Sequence, residues 1–204
     1  MVNNPFNTYT CFYGHQCIAA GSLSTVILAA KRAVESGVSE PILIFDDATG
    51  RSIDVDTRGS DEEILARLNP PVAAAEPDEP VDESRGRGRP KLGVVAREVT
   101  LLPRHWEWLA SQPGGASVTL RKLVEEARRS NADKDKTRRM QERAYRFISA
   151  VAGNMVNFEE ASRTLFANDQ PRFTGLIAEW PEDVRAYAIR LAFSDNDHEK
   201  DTNE

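Results

Sequence analysis

Cysteine is nearly absent. Only Cys11 and Cys17 occur in 204 residues, too few to staple a secreted scaffold and in keeping with a reducing compartment. No apolar run approaches the length of a membrane span, and the start "MVNNPFNTYT" lacks the basic residues and apolar stretch of a secretion signal. These absences lead to the expectation of a cytoplasmic chain with no membrane partner. Also missing are a phosphate-binding glycine loop ahead of a helix, a nucleophile elbow and a His-Glu metal pair. The expectation is therefore no catalytic residue, no cofactor, no metal and no enzyme. Hydrophobic residues at 40 % and three tryptophans suffice for modest cores rather than one large one.

Charge is present in plenty but unevenly placed. The net charge is −6, yet residues 1–84 carry 5 Lys+Arg against 14 Asp+Glu, residues 85–146 carry 16 against 7, and residues 147–204 carry 5 against 11. The middle block is thus basic by nine charges inside an acidic chain. A contiguous basic block attracts polyanions locally whatever the average charge.

The pattern predicts an α+β chain with a small N-terminal ββαββα module over residues 1–69. Two short β-rich runs flank "YGHQ", where Gly14 suits a tight reversal. Leu23, Val26, Ile27, Ala30, Ala33 and Val34 then recur at helical spacing, with serines to cap the start and Gly37 to end it. An apolar strand over Ile42 to Phe45, the turn "DDATG" and a strand with Ile53 and Val55 inward complete a second hairpin. Ser60 and Glu63 form a capping box before Ile64, Leu65 and Leu68.

Residues 70–96 read as a disordered linker, acidic and then basic. A strand-helix-helix segment follows over 97–130, with the strand in "REVTLLP", a first helix Arg104 to Gln112 and a second from Ser117 to Arg129. A helical region over 131–194 and a disordered tail over 195–204 complete the chain. The C-terminal half is therefore mostly α-helical with one short strand. Asn157 with Glu160 is expected to cap one helix, and Pro181 to open the last.

Two segments carry the functional expectation. In "SRGRGRPKLG", Arg87, Gly88, Arg89, Pro90 and Lys91, with Arg85 before them, resemble the core of the AT-hook. Proline fixes an extended backbone, glycine allows close approach to a groove floor, and the arginines match the negative potential of a narrow A·T minor groove. The segment "REVTLLPRHWEWLASQPGGASVTLRKLVEEARR" resembles ribbon-helix-helix DNA-binding proteins, where two chains pair one strand each to read a major groove. That resemblance implies a homodimer. It is imperfect, because one face of the strand offers Arg97, Val99 and Leu101 and the other Glu98, Thr100 and Leu102, and because the first helix is a turn short. A helix-turn-helix, or a segment that is simply core, are the alternatives. Arg97, Arg121 and Lys122 are placed near phosphate on charge and proximity.

Other constellations are bland. Trp106 and Trp108 face opposite sides of a helix, so one of them suits a partner surface. Arg128, Arg129, Lys134, Lys136, Arg138, Arg139 and Arg143 alternate with acids, which fits either phosphate contact or a solvated helix laced by ion pairs. Cys11, His15 and Cys17 lack a fourth ligand for zinc, and the two cysteines are expected to face each other across the hairpin as reduced thiols. Asp46, Asp47, Asp54 and Asp56 surround a turn, where they could gather a cation or serve the turn itself.

The stretches "FDDATGRSIDVDTRGS", "GRGRPKLGVVAREVTLLPRHWEWLASQPGGAS" and "NFEEASRTLFANDQPRF" resemble the bacterial domain-of-unknown-function family 2239. The resemblance implies a bacterial cytoplasmic protein and no particular activity. The expected function is DNA binding, as a transcriptional regulator or nucleoid-associated factor, with an adaptor for acidic protein partners as the alternative and an enzyme third.

Overall fold

A computed structural model describes residues 8–37, 40–68, 95 and 97–194. The linker, the basic arm and the polar tail expected from the sequence lie outside these residues. The chain divides into two units: one draws on residues 8–68 and 134–194, the other on residues 95–133.

The first unit is built on a four-stranded antiparallel sheet. Strands β1 (Tyr9–Tyr13) and β2 (Gln16–Gly21) form a hairpin, and β3 (Ile42–Asp46) and β4 (Ser52–Ile53) a second, in the order β2-β1-β3-β4. The first turn has two central residues, with Gly14 at the first and at φ 54°, the position that a primed hairpin turn gives to glycine.

Helix α1 (Leu23–Glu35) starts where the Ser22 side chain accepts from the Thr25 N–H and ends before Gly37 at φ 76°. Helix α2 (Asp61–Leu68) opens with the expected capping box. The Ser60 N–H donates to Glu63 Oε2 at 2.8 Å, and the Glu63 N–H donates to Ser60 Oγ at 3.2 Å. Four helices complete the fold. They are α4 (Gly115–Val151), of which residues 134–151 belong to this unit, α5 (Phe158–Phe166), α6 (Gln170–Leu176) and α7 (Glu182–Phe193).

Strand alternation sends successive side chains to opposite faces, and both faces are covered. Cys11 and Ile44 pack with Val26, Ile27 and Ala30 of α1 and Ile64 of α2. Phe12 and Phe45 point the other way, into a core with Phe147 of α4, Leu165, Phe173 and Tyr187. The rings of Phe12, Phe45, Phe147 and Tyr187 interlock, with Phe147 to Phe45 at 5.0 Å and Phe147 to Tyr187 at 4.6 Å, both edge to face. Each such pair adds about 0.5–1.5 kcal/mol beyond the area it buries. Residues 8–68 and 134–194, which the sequence presents as separate stretches, thus share one core.

Gly50 holds the second hairpin against α4. It sits at φ 65°, and a Cβ there would lie 1.9 Å from the Arg143 carbonyl oxygen. Only glycine fits both the backbone and the space.

Several expectations are corrected. The short strand over 97–102 is not formed. These residues are irregular and mostly exposed, because among the described residues no neighbouring strand offers a ladder and a lone strand leaves its backbone groups unpaired. The second helix does not stop at Arg129 but runs on to Val151. "SNADKDK" contains no glycine or proline, and acid-base pairs one turn apart sustain it. Asn157 occupies the N-cap position of α5 at φ 64° without a side-chain cap bond. Its amide donates instead to the Leu176 carbonyl at 3.2 Å.

The cysteines do not face each other either. The two-residue turn pairs Cys17 with Phe12, and an irregularity between Cys11 and Phe12 pairs Cys11 with Ala19. Cys11 therefore enters the α1 core while Cys17 packs against the opposite one. Both are free thiols. Burial, with Cys17 nearby, pushes the Cys11 thiol up to about 11.

Candidate nucleic-acid interface

Of the residues expected to meet DNA, Arg85, Arg87, Gly88, Arg89, Pro90 and Lys91 lie outside the described residues. Arg97, Arg121 and Lys122 are described, and all three are exposed. They belong to the second unit, where α3 (Pro103–Ser111) begins on a proline at its first turn and is followed by Gly114 at φ 89° and Gly115 at φ 74°. Two successive residues at positive φ separate the helices, and α4 starts at the second of them.

Some cations of α4 are ion-paired and others, Lys134 and Arg139 among them, are exposed with no acid partner among the described residues. Arg128 and Arg129 both pair with Glu125, at 2.9 and 3.1 Å, and Arg138 pairs with Asp135 at 3.2 Å. The hydrogen bond from Arg128 holds the Glu125 carboxyl below its ordinary range. Upstream the pattern changes. Among the described residues no acid pairs with Arg97, Arg104, Arg121 or Lys122, which are all the cations between residues 97 and 122. Arg121 Nε donates to the Ser117 carbonyl of its own helix at 3.2 Å, and Arg104 Nε lies 3.5 Å from His105 Nε2. Arg121 and Lys122 line one open groove with Val118, Glu125, Glu126, Arg129 and Ser130. Arg104 was not singled out by sequence pattern. Sequence spacing would have paired it with Glu107, three residues on in the same helix, and the structure does not form that pair.

The same unit leaves large apolar side chains uncovered. Among its described residues only Leu109 is buried. Trp106 and Trp108 are both exposed, at 41 % and 51 %, as are Val99, Leu102, Leu123 and Val124. The stripe that the helical period assigns to a core thus reaches solvent at Leu123 and Val124.

Arg143, in the basic run whose pattern fits either phosphate contact or a solvated helix, serves neither. Arg143 is buried, and its guanidinium donates to the Leu191 carbonyl at 2.6 Å and the Ser194 carbonyl at 2.8 Å. It satisfies the C-terminal end of α7, where a positive charge is favoured.

The first unit contains a buried polar cluster that the sequence did not signal. Asp47 Oδ1 accepts from Tyr187 Oη at 2.7 Å and from Thr10 Oγ1 at 2.9 Å, while Arg190 reaches Asp47 Oδ2 at 3.2 Å and stands over the Tyr187 ring. Burial, and then the adjacent carboxylate, push the Tyr187 phenol far above its ordinary value. Tyr187 therefore stays a donor. Two other aspartates of that turn are engaged locally. Asp46 accepts from the Ala48 N–H and Thr49 Oγ1, and bonds from Arg58 hold the Asp56 carboxyl down at about 2. No group of three or more acids, histidines or cysteines suited to a metal ion occurs among the described residues.

No helix among the described residues is long and apolar enough to cross a membrane. A model of the bacterial family described as "uncharacterized protein conserved in bacteria", domain of unknown function 2239, matches residues 8–192, and the chain belongs to that family. No curated protein and no solved structure matches it.

Proposed function

We propose, from membership of that bacterial family as premise and from the charge of this chain, that the protein binds duplex DNA as a homodimer in the cytoplasm. Arg85, Arg87, Gly88, Arg89, Pro90 and Lys91 lie in an A·T-rich minor groove, and Arg97, Arg104, Arg121 and Lys122 contact phosphate. The observation that carries this reading is that all four cations between residues 97 and 122 lack acid partners among the described residues, whereas Arg128, Arg129 and Arg138 of α4 are ion-paired. An ion-paired arginine has its countercharge already, whereas an unpaired one gains most from a phosphate. Residues 85–122 hold eight cations and two acids, Glu98 and Glu107.

The exposed apolar residues of the same unit give the homodimer its physical basis. Trp106, Trp108, Leu123 and Val124 cost free energy in water, and a second copy covers them while pairing the backbone of residues 97–102. A regulatory or nucleoid-associated role follows from such binding. The exposed tryptophans equally favour a second reading, an adaptor for an acidic protein partner, since aromatic side chains anchor interfaces.

Titration of A·T-rich and G·C-rich duplexes, followed by fluorescence anisotropy at about 50 mM and about 200 mM salt, tests the proposal. With six or more phosphate contacts, affinity falls by roughly a thousandfold between the two conditions, and the A·T duplex binds more tightly. Absence of binding to either duplex at the lower salt removes the DNA reading and leaves the adaptor.

A further inference from the structure

A second open groove lies within the first unit, away from every residue assigned to DNA above. One wall is the end of the β3–β4 turn, with Gly50, Arg51 and Ser52. The other is the solvent face of α4, with Tyr145, Arg146 and Ser149. Its volume of about 540 Å³ falls within the range of roughly 300–1,000 Å³ usual for small-molecule sites. The walls are fixed to each other. Gly50 brings the turn against the α4 backbone, where no side chain fits between them, and Arg146 Nη1 donates across to the Thr49 carbonyl at 2.8 Å.

Three kinds of side chain meet in this groove. Arg51 is exposed and has no acid partner among the described residues. Arg146 is held by Thr49 and by Glu142, at 3.3 Å, and its side chain stays partly exposed. Tyr145 presents a half-covered ring, steadied by Phe166 at a centroid distance of 5.3 Å and an interplanar angle of 55°. The hydroxyls of Ser52 and Ser149 are further donors on the two walls. An unpaired guanidinium suits a phosphate, and a steadied aromatic ring beside it suits a nucleobase, since every base has a π-face to stack. A structural role for the groove does not account for the exposed Arg51 and Tyr145, because neither contributes to the buried cores.

We infer that this groove binds a nucleotide, with phosphate on Arg51 and Arg146 and the base on Tyr145. The ligand chemistry is that of a free mononucleotide or of one residue in a single strand. It does not rest on the duplex proposal, which uses other residues.

Isothermal titration of the full-length chain with adenosine monophosphate, and separately with a single-stranded thymidine oligonucleotide of about eight residues, tests it. At least one probe binds. Arg51→Ala and Tyr145→Leu each weaken that binding by about tenfold or more, and Ser149→Glu, which puts a negative charge on an exposed wall, does the same. All three sites are exposed, so unchanged thermal midpoints keep the comparison valid. The double variant Arg87→Ala with Arg89→Ala leaves mononucleotide affinity unchanged and weakens duplex binding, which separates the two sites. Binding by the mononucleotide identifies a small effector, and binding by the oligonucleotide alone identifies a strand. The inference is overturned if neither probe binds at millimolar concentration, or if binding survives both Arg51→Ala and Ser149→Glu.

Discussion

Residues 8–68 and 134–194 cover their apolar side chains on both faces of a sheet, while residues 95–133 bury Leu109 alone among those described and turn two tryptophans, Leu123 and Val124 to solvent. The cations at the first unit's core differ in the same sense, although Arg51 on that unit's surface also has no acid partner among the described residues. Arg143 and Arg190 of the first unit bond to carbonyls, to Asp47 and to Thr10, whereas those between residues 97 and 122 meet no acid among the described residues. Stability resides where contacts are already made. Surfaces for partners lie where apolar and charged groups lack them.

Substitutions can break this contrast, starting where the effect is greatest. Phe147→Ala removes the ring at the centre of the aromatic cluster and should cost about 3–5 kcal/mol, read as a fall in the chemical-denaturation midpoint. Gly50→Ala should cost about 2–4 kcal/mol, because the positive φ and the Arg143 carbonyl must both be relieved. Survival of the native thermal midpoint in that variant would mean that the turn does not press on α4. Tyr187→Phe deletes one of the donors to buried Asp47 and should cost about 1–3 kcal/mol. Trp108→Ala belongs to the other class. It should move the midpoint by no more than about 0.5 kcal/mol while weakening self-association in sedimentation velocity. A large loss of stability there would place Trp108 in a core and erase the contrast.

Much of the fold was legible because its signals are local. The Ser60–Glu63 capping box, the Gly14 turn, the periodicity of α1 and the glycine stop at Gly37 each depend on residues within a few positions of one another. The shared core was not legible, since Phe12 and Phe45 read as ordinary strand residues and nothing in the sequence says that their partners are Phe147 and Tyr187. The Asp47 cluster is hidden for the same reason, its donors lying 37, 140 and 143 positions away. The cysteine pairing failed by one residue of register, the smallest error that sends a side chain to the opposite face. In the candidate interface, charge counting found the basic block but could not divide it. Glu125 lies one turn from both Arg121 with Lys122 and Arg128 with Arg129, so spacing cannot say which pair it joins; the structure places it on Arg128 and Arg129.

That division supports the most direct test. The slope of the logarithm of duplex affinity against the logarithm of salt concentration can be measured for the native chain, for Arg121→Ala with Lys122→Ala, and for Arg128→Ala with Arg129→Ala. Loss of two phosphate contacts should reduce the slope by about 1.8 in the first variant and leave it nearly unchanged in the second. Equal slopes in all three proteins, or no duplex binding by the native chain at low salt, would contradict the assignment of the unpaired cations to DNA.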